Sequence, residues 1–242
     1  MTATVTPPPG AASLKRVDPA LRLQDYAAAL KFYSARLEAG VVDAIVFVEN
    51  SNSDVSMLKE LASHCACKDR IEFVSFFGLD YPSAYGRAYG EMKLVDYAMS
   101  HSRCIFEAED ESMVWKITGR YLLRNIEQVI RVWEDAVLVC HCRNHPQRWA
   151  DMYFMGWMKR HYPQLLQGVY GRLKESELGE PSEVEFRRIV DERARSVRVQ
   201  RRFLTVPRLE GVRGFDNAAF ERQRGKAALR ACMARMMPWV WI

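Results

Sequence analysis

Apolar positions along the chain recur with two spacings, and the alternation between them predicts strands followed by helices. Residues 41–48 (VVDAIVFV) form a near-continuous apolar run of strand length, the pattern of a strand buried on both faces of a parallel sheet. The run ends in a polar, turn-forming string, Glu49-Asn50-Ser51-Asn52-Ser53-Asp54, which leads into a helix over 55–62 and a further strand over 71–77. Upstream, Asp18 as N-cap and Pro19 at the first helical position start a helix. Its apolar face carries Leu21, Tyr26, Ala29, Leu30, Tyr33 and Leu37, and it runs to Gly40.

Downstream, 91–99 is a helix with Met92, Val95 and Met99 on one face, entered through a loop rich in glycine and aromatics at 78–90. Short strands are expected at 103–106, 114–117, 137–142 and 198–206. Helices are expected at 122–133, 149–162, 183–194 and, as a basic tail, 221–242. Residues 2–6 are either a first edge strand or a disordered arm before Pro7-Pro8-Pro9-Gly10. The β-α-β alternation with short loops predicts one α/β domain with a mostly parallel central sheet flanked by helices.

Chemistry concentrates at strand ends, where ligands bind in open α/β sheets. Residues 113–125 (MVWKITGRYLLRN) place a strand, then the turn Lys116, Ile117, Thr118, Gly119, Arg120, then a helix. Gly119 allows close backbone approach, and Lys116 and Arg120 offer positive charge to an anionic ligand. Arg22, in the first turn of its helix, faces either solvent or the same ligand.

Composition narrows the reading. The 242 residues are 49% hydrophobic, enough for a sizeable core. No apolar stretch approaches the roughly 18 residues of a membrane span, and the start MTATVTPPPG lacks the basic and apolar runs of a secretory leader. A cytoplasmic protein is expected. The cysteines stand as Cys65/Cys67, Cys104, Cys140/Cys142 and Cys232; C-x-C spacing beside His64 and His141 is not the usual zinc pattern, so ordinary thiols are expected. Net charge is +5 and unevenly spread, with arginines dense in the last quarter and Trp239 and Trp241 near the end. That tail suits either peripheral contact with an anionic leaflet or a helix packed on the domain. A nucleic-acid footprint is the weaker alternative, since no matching motif is present and no nucleic-acid partner is expected.

Three pieces in order resemble bacterial GT-A fold glycosyltransferases of capsule and O-antigen polysaccharide biosynthesis: ENSNSD (49–54), YGRAYGEMKLVDYAM (85–99) and WKITGRYLLRN (115–125). The resemblance covers roughly 14–130 and implies a GT-A-type (Rossmann-like) fold with a basic helical C-terminal extension. It divides the chain into a nucleotide-sugar half (1–135), an acceptor half (136–220) and the tail (221–242). It implies transfer of a sugar from a nucleotide-sugar donor to a surface glycan, free or linked to polyprenyl diphosphate, at the inner face of the membrane. Glu49, Asn50 and Asp54 then fall on the nucleotide side, and Arg87, Tyr89, Gly90 and Glu91 before the helix that leads to the donor. Lys116, Thr118, Gly119 and Arg120 fall where many such enzymes carry a metal-binding DXD motif. KITGRY has no carboxylate, so either Glu109, Asp110 or Glu111 holds Mg²⁺ or Mn²⁺, or arginine and lysine neutralise the leaving phosphate and no metal is required. The general base is sought among Asp151, Glu183 and Glu185, with Glu185 matched to the later acidic motif and Asp151 beside Trp149 as the other choice. An inactive relative acting as a scaffold is the alternative that the absent DXD keeps open.

Overall fold

The computed structural model describes residues 1–10, 14–133, 135–214 and 216–219; the expected basic tail at 221–242 lies outside the described residues. In chain order the elements are β1 (Thr2–Ala3), α1 (Pro19–Glu38), β2 (Ile45–Glu49), α2 (Ser56–Ser63), β3 (Ile71–Ser75), α3 (Gly86–His101) and α4 (Arg103–Glu107). There follow β4 (Met113–Ile117), β5 (Leu122–Leu123), α5 (Ile126–Ile130), β6 (Leu138–Arg143) and β7 (Trp149–Met158). The last are α6 (Tyr162–Leu165), α7 (Glu175–Leu178), α8 (Ser182–Arg193), β8 (Val199–Gln200) and β9 (Leu209–Glu210).

Local signals explain the elements that were foreseen. The Asp18 carboxylate accepts the Ala20 and Leu21 amides and Pro19 fills the first turn of α1. Asp54 accepts the Ser56 amide (2.8 Å) and hydroxyl (2.9 Å) at the start of α2. The 41–48 run yields a shorter strand, because 41–44 bend before β2 begins.

The fold is mixed α/β. β1, β2 and β3 form a parallel sheet in the order β1-β2-β3. A second sheet has the order β4-β7-β6-β8, with β7 antiparallel to both neighbours and β8 parallel to β6. β5 and β9 make a small antiparallel pair. The two larger sheets meet at a seam, where Thr2 and Thr118 form a parallel bridge and the Gly119 amide donates to the Thr2 carbonyl at 2.9 Å. Across the seam the strands read β3-β2-β1-β4-β7-β6-β8. The chain therefore winds outward one way from β1 and crosses back to β4 on its other side, which puts a topological switch point between β1 and β4.

The sheets carry helices on both faces. Tyr26, Leu30 and Leu37 of α1 and Leu58 of α2 pack with Phe47, Leu123 and Phe154 in one core. Met92 and Val95 of α3 and Phe186 and Ile189 of α8 pack with Leu138, Met155 and Trp157 in another.

Several expectations are corrected. The expected mostly parallel sense holds for strand direction but with one exception, β7, which runs against β4 and β6 while the other six strands share one direction. Residues 149–162, expected as a helix, open with the ten-residue strand β7; buried Ala150, Met152 and Phe154 alternate with half-buried Trp149, Asp151 and Tyr153, which is a period of two. Residues 122–133 start as β5, and only Ile126–Ile130 is helical. The strand expected at 103–106 is α4, because the Ser102 hydroxyl accepts the Ile105 amide and Glu72 accepts the Arg103 and Cys104 amides. The helix expected from 91 begins at Gly86, so Arg87, Tyr89 and Gly90 are helical rather than in a loop. Only Val199–Gln200 of the 198–206 stretch is a strand. β1 is not an edge, since Thr2 pairs with Val48 on one side and Thr118 on the other.

Candidate functional site

The carboxyl ends of β1, β2 and β4 converge at the switch point. Gly119 is required there: a Cβ on it would sit 2.8 Å from the Thr2 carbonyl oxygen. Beneath the seam, the Lys116 ammonium pairs with the Glu91 carboxylate from α3 at 2.7 Å and also donates to the Met152 carbonyl. Glu91 accepts the Thr2 (2.7 Å) and Thr118 (2.8 Å) hydroxyls as well. Burial works against the Glu91 charge, but Lys116 and the two hydroxyls outweigh it and hold the carboxyl below its ordinary value. Burial pulls Lys116 below its own ordinary value, with Glu91 opposing. Lys116 and Thr118 are thus committed to the fold. The expected phosphate-facing role of Lys116 is corrected: its ammonium is enclosed and neutralised.

The loop after β2 is pinned from inside. Glu49 is fully buried and accepts the amides of Val5 (3.0 Å), Ser51 (2.9 Å) and Ser53 (3.1 Å) and the Ser51 hydroxyl. Asn50 is buried too, and its side-chain oxygen accepts the Thr4 hydroxyl at 2.6 Å. Both hold β1 to the loop, and the Glu49 carboxylate expected on the nucleotide side is enclosed and its two oxygens are taken by the protein's own amides and the Ser51 hydroxyl. Asp54 is exposed and caps α2, and that capping by Ser56 lowers its carboxyl.

Two buried guanidiniums stand beside this loop. Arg22 donates to the Thr4 carbonyl (2.7 Å), the Arg16 carbonyl (2.9 Å) and the Tyr26 hydroxyl (3.1 Å). Burial lowers its pKa, Tyr26 opposes this, and the charge of Arg120 lowers it further, so the two arginines lie within each other's field. Arg120 is 6% exposed and donates to the Val212 carbonyl at 2.9 Å. Its Nε–H has no hydrogen-bond partner among the described residues. A strap after β9 encloses it: a Cβ on Gly211 would meet the Arg120 carbonyl at 2.8 Å, and one on Gly214 its guanidinium at 2.9 Å. The Gly214 carbonyl accepts the Lys15 (2.9 Å) and Arg16 (3.0 Å) amides, closing the strap onto the approach to α1. Arg16 in turn is forked onto Asp25 at 2.8 and 3.0 Å.

The first turn of α3 brings exposed Arg87 between Tyr121 and Glu183, both of which feel its charge. Tyr89 packs with Tyr81, Tyr85 and Tyr170 at ring separations of 4.8 to 5.1 Å. Gly90 leaves room for the Tyr81 hydroxyl, 1.8 Å from where its Cβ would be.

The acids separate into two kinds. Glu185 is buried and its two oxygens are taken by Arg172 (2.6 and 2.9 Å) and Arg188 (3.0 Å). This corrects its expected role as a free base. Asp151, at the β7 end beside the carboxyl end of β4, accepts the Trp149 indole (2.9 Å) and Arg143 (3.1 Å) on one oxygen, leaving the other without a bond among the described residues. Glu183, at the start of α8, makes no hydrogen bond to another side chain among the described residues. Burial raises its carboxyl, Glu175 and Asp151 add to the rise, and its own amide and Arg87 oppose it. The sequence places Glu183 and Glu185 in the same helical turn; only packing shows which one Arg172 and Arg188 occupy. Thr4, Tyr26 and the counter-charge role of Glu91 gave no signal of their own.

The acidic turn Glu109, Asp110, Glu111 precedes β4, about 16 Å of strand away from Thr118. Asp110 pairs with Lys159 (3.5 Å) and Glu111 with Arg160. These residues do not fit a metal at the switch point, which corrects the fallback ligand set. Among the described residues no group of three or more His, Cys, Asp or Glu could hold a metal ion. Cys140 and Cys142 are buried in β6, and burial pushes the Cys142 thiol up to about 12. No described helix is long and apolar enough to cross a membrane. No protein-family model matches the chain, and its sequence matches no curated protein.

Proposed function

We propose that the protein is a glycosyltransferase of GT-A type, moving a sugar from a nucleotide-sugar donor to a bacterial surface glycan or its polyprenyl-diphosphate-linked precursor. The observation that carries this reading is the pair Arg22 and Arg120, buried at the switch point between β1 and β4 with an unpaired Nε–H on Arg120. Crevices at such points take phosphorylated ligands, and arginine forks bond two oxygens of a phosphate together.

In this mechanism the donor diphosphate lies against Arg22 and Arg120, with Arg87 at the outer side. The bond from the sugar's anomeric carbon to the phosphate oxygen breaks, and its electron pair stays on the nucleoside diphosphate. Fixed guanidiniums stabilise that developing charge without reorganising. The acceptor hydroxyl attacks the same carbon and gives its proton to Glu183, whose raised carboxyl suits a base, with Asp151 beside it. No step requires a divalent ion, since the acids near β4 are at its wrong end. Cytoplasmic placement with peripheral contact through the basic tail belongs to the same proposal.

A thermal-shift screen against UDP-, GDP-, CMP- and dTDP-sugars, with Mn²⁺ or EDTA, tests the reading. A donor at 100 times its dissociation constant stabilises the fold by about 2.7 kcal/mol, and the shift is expected to survive EDTA. Binding without transfer to any acceptor favours the inactive scaffold, for which the engagement of Lys116 and Glu185 in ion pairs speaks. No shift with any donor overturns the proposal and makes nucleic acid the next ligand to try.

A further inference from the structure

A groove of about 330 Å³ runs along one face of α8, walled by Arg148, Arg187, Arg188, Asp191, Glu192 and Arg195. The α8 residues recur at three- and four-residue spacing, and Arg148 comes from the β6–β7 turn, so helix and hairpin form its two sides. The volume lies in the range of small-ligand sites.

Its charges are arranged in a particular way. Asp191 accepts Arg187 (2.9 Å), Arg201 (3.2 Å) and Arg148 (2.5 Å), so three guanidiniums share one carboxylate. Burial works against the Asp191 charge, but Arg187, Arg201 and Arg148 outweigh it and keep the carboxyl low. Arg187 is buried and also donates to the Arg143 carbonyl at 2.8 Å, which fixes its orientation. Glu192 is taken by Arg172 at 2.7 Å from outside the groove. Arg195 is exposed and makes no side-chain hydrogen bond or close ion pair among the described residues. Asp191 thus works as an internal counter-ion that aligns arginines against their mutual repulsion, and positive charge is left over. Among the described residues no aromatic ring lines the groove, so they offer a nucleobase nothing to stack on. A compact oxyanion carrying more than one charge fits these walls.

We propose that this groove binds the diphosphate group of a ligand, at a site separate from the Arg22–Arg120 crevice. The proposal is independent of the transferase reading. Arg148 and Arg195 supply the mobile contacts and Arg187 the fixed one.

Isothermal titration of the full chain with inorganic pyrophosphate tests it, with orthophosphate as the single-charge-centre control. Pyrophosphate is expected to bind more tightly than orthophosphate. Arg195→Gln and Arg148→Gln are each expected to weaken pyrophosphate binding about tenfold, the scale of one lost charge-assisted hydrogen bond. Both side chains are exposed, so circular dichroism should show an unchanged fold. Arg131→Gln, at an exposed position paired with Glu127, should leave binding unchanged. Absence of pyrophosphate binding overturns the proposal. So does binding that both groove variants retain in full but Arg120→Gln abolishes, because the anion then sits in the crevice. UDP binding that depends on Arg120 but not on Arg195 leaves the transferase reading standing whatever the groove does.

Discussion

Replacing Glu91 with glutamine tests how the two sheets are joined. The Lys116 side chain is 1% exposed and that of Glu91 23%, so the uncompensated charge in Glu91→Gln is a deeply enclosed ammonium. Glutamine keeps the shape and can still accept the Thr2 and Thr118 hydroxyls, so the loss isolates the charge. Removing one partner of a buried pair costs about 3–5 kcal/mol; the partial exposure of Glu91 puts this case near 3. Urea unfolding measures it. Adding Lys116→Met to Glu91→Gln removes both charges and should recover half the loss or more. The pH dependence has a definite sign. The Glu91 carboxyl lies below its ordinary 4.5, so its contribution is full above that pH and disappears as pH falls through the lower folded value. The gap between wild type and Glu91→Gln therefore narrows in acid. A loss under about 1 kcal/mol, or a gap that stays constant down to about pH 3, refutes the role given to the pair.

Gly119→Ala forces a Cβ to within 2.8 Å of a backbone oxygen and should destabilise by about 1–3 kcal/mol in thermal unfolding; a neutral change means the seam can open without cost. Arg120→Lys keeps the charge but loses the fork, and should weaken donor binding about tenfold in thermal-shift titration while the protein stays folded. Glu183→Gln should lower transfer about 10²–10⁴-fold with donor binding intact. Because burial raises the Glu183 carboxyl, the acid limb of the wild-type rate profile should lie above the ordinary carboxylate range and vanish in that variant. A Glu183→Gln enzyme with unchanged turnover moves the proton to Asp151.

The first half of the chain was legible because its elements are set by local rules. Asp18-Pro19 and Asp54 cap helices through their own side chains, and 41–48 carries enough apolar residues to mark a strand buried on both faces. The misreadings share a physical origin. In 149–158 the aromatic content masked the alternation of Ala150, Met152 and Phe154, which small and sulfur-bearing residues carry weakly. At 122–123 the pairing partner, Leu209–Glu210, is more than eighty residues away, and no local pattern announces it. The site suffered the same limit: Arg120 was picked out beside a strand end and Arg22 in the first turn of its helix, facing either solvent or an anionic ligand, and Arg22 is buried within the field of Arg120. Lys116 looked equivalent, but its partner Glu91 comes from a helix twenty-five positions upstream.

That difference decides where charge remains at the switch point. Lys116 has Glu91 at 2.7 Å, so its charge is matched within the fold. Arg22 instead feels the positive charge of Arg120, which adds to its burial in lowering it, whereas Arg120 is buried but held above its ordinary value by Tyr26, Tyr121 and Asp25; Asp25, the carboxylate both feel, is already forked onto Arg16. Two guanidiniums in a low-dielectric place repel strongly unless an anion answers them. The Thr4, Arg16 and Val212 carbonyls supply only dipoles. A bound phosphate group would remove that repulsion and give the Arg120 Nε–H an acceptor in one step. A nucleoside without phosphate would do neither. On the proposed reading the site would gain more from the phosphates of a nucleotide-sugar than from its base, in keeping with the burial of Glu49 and its bonds to the Val5, Ser51 and Ser53 amides.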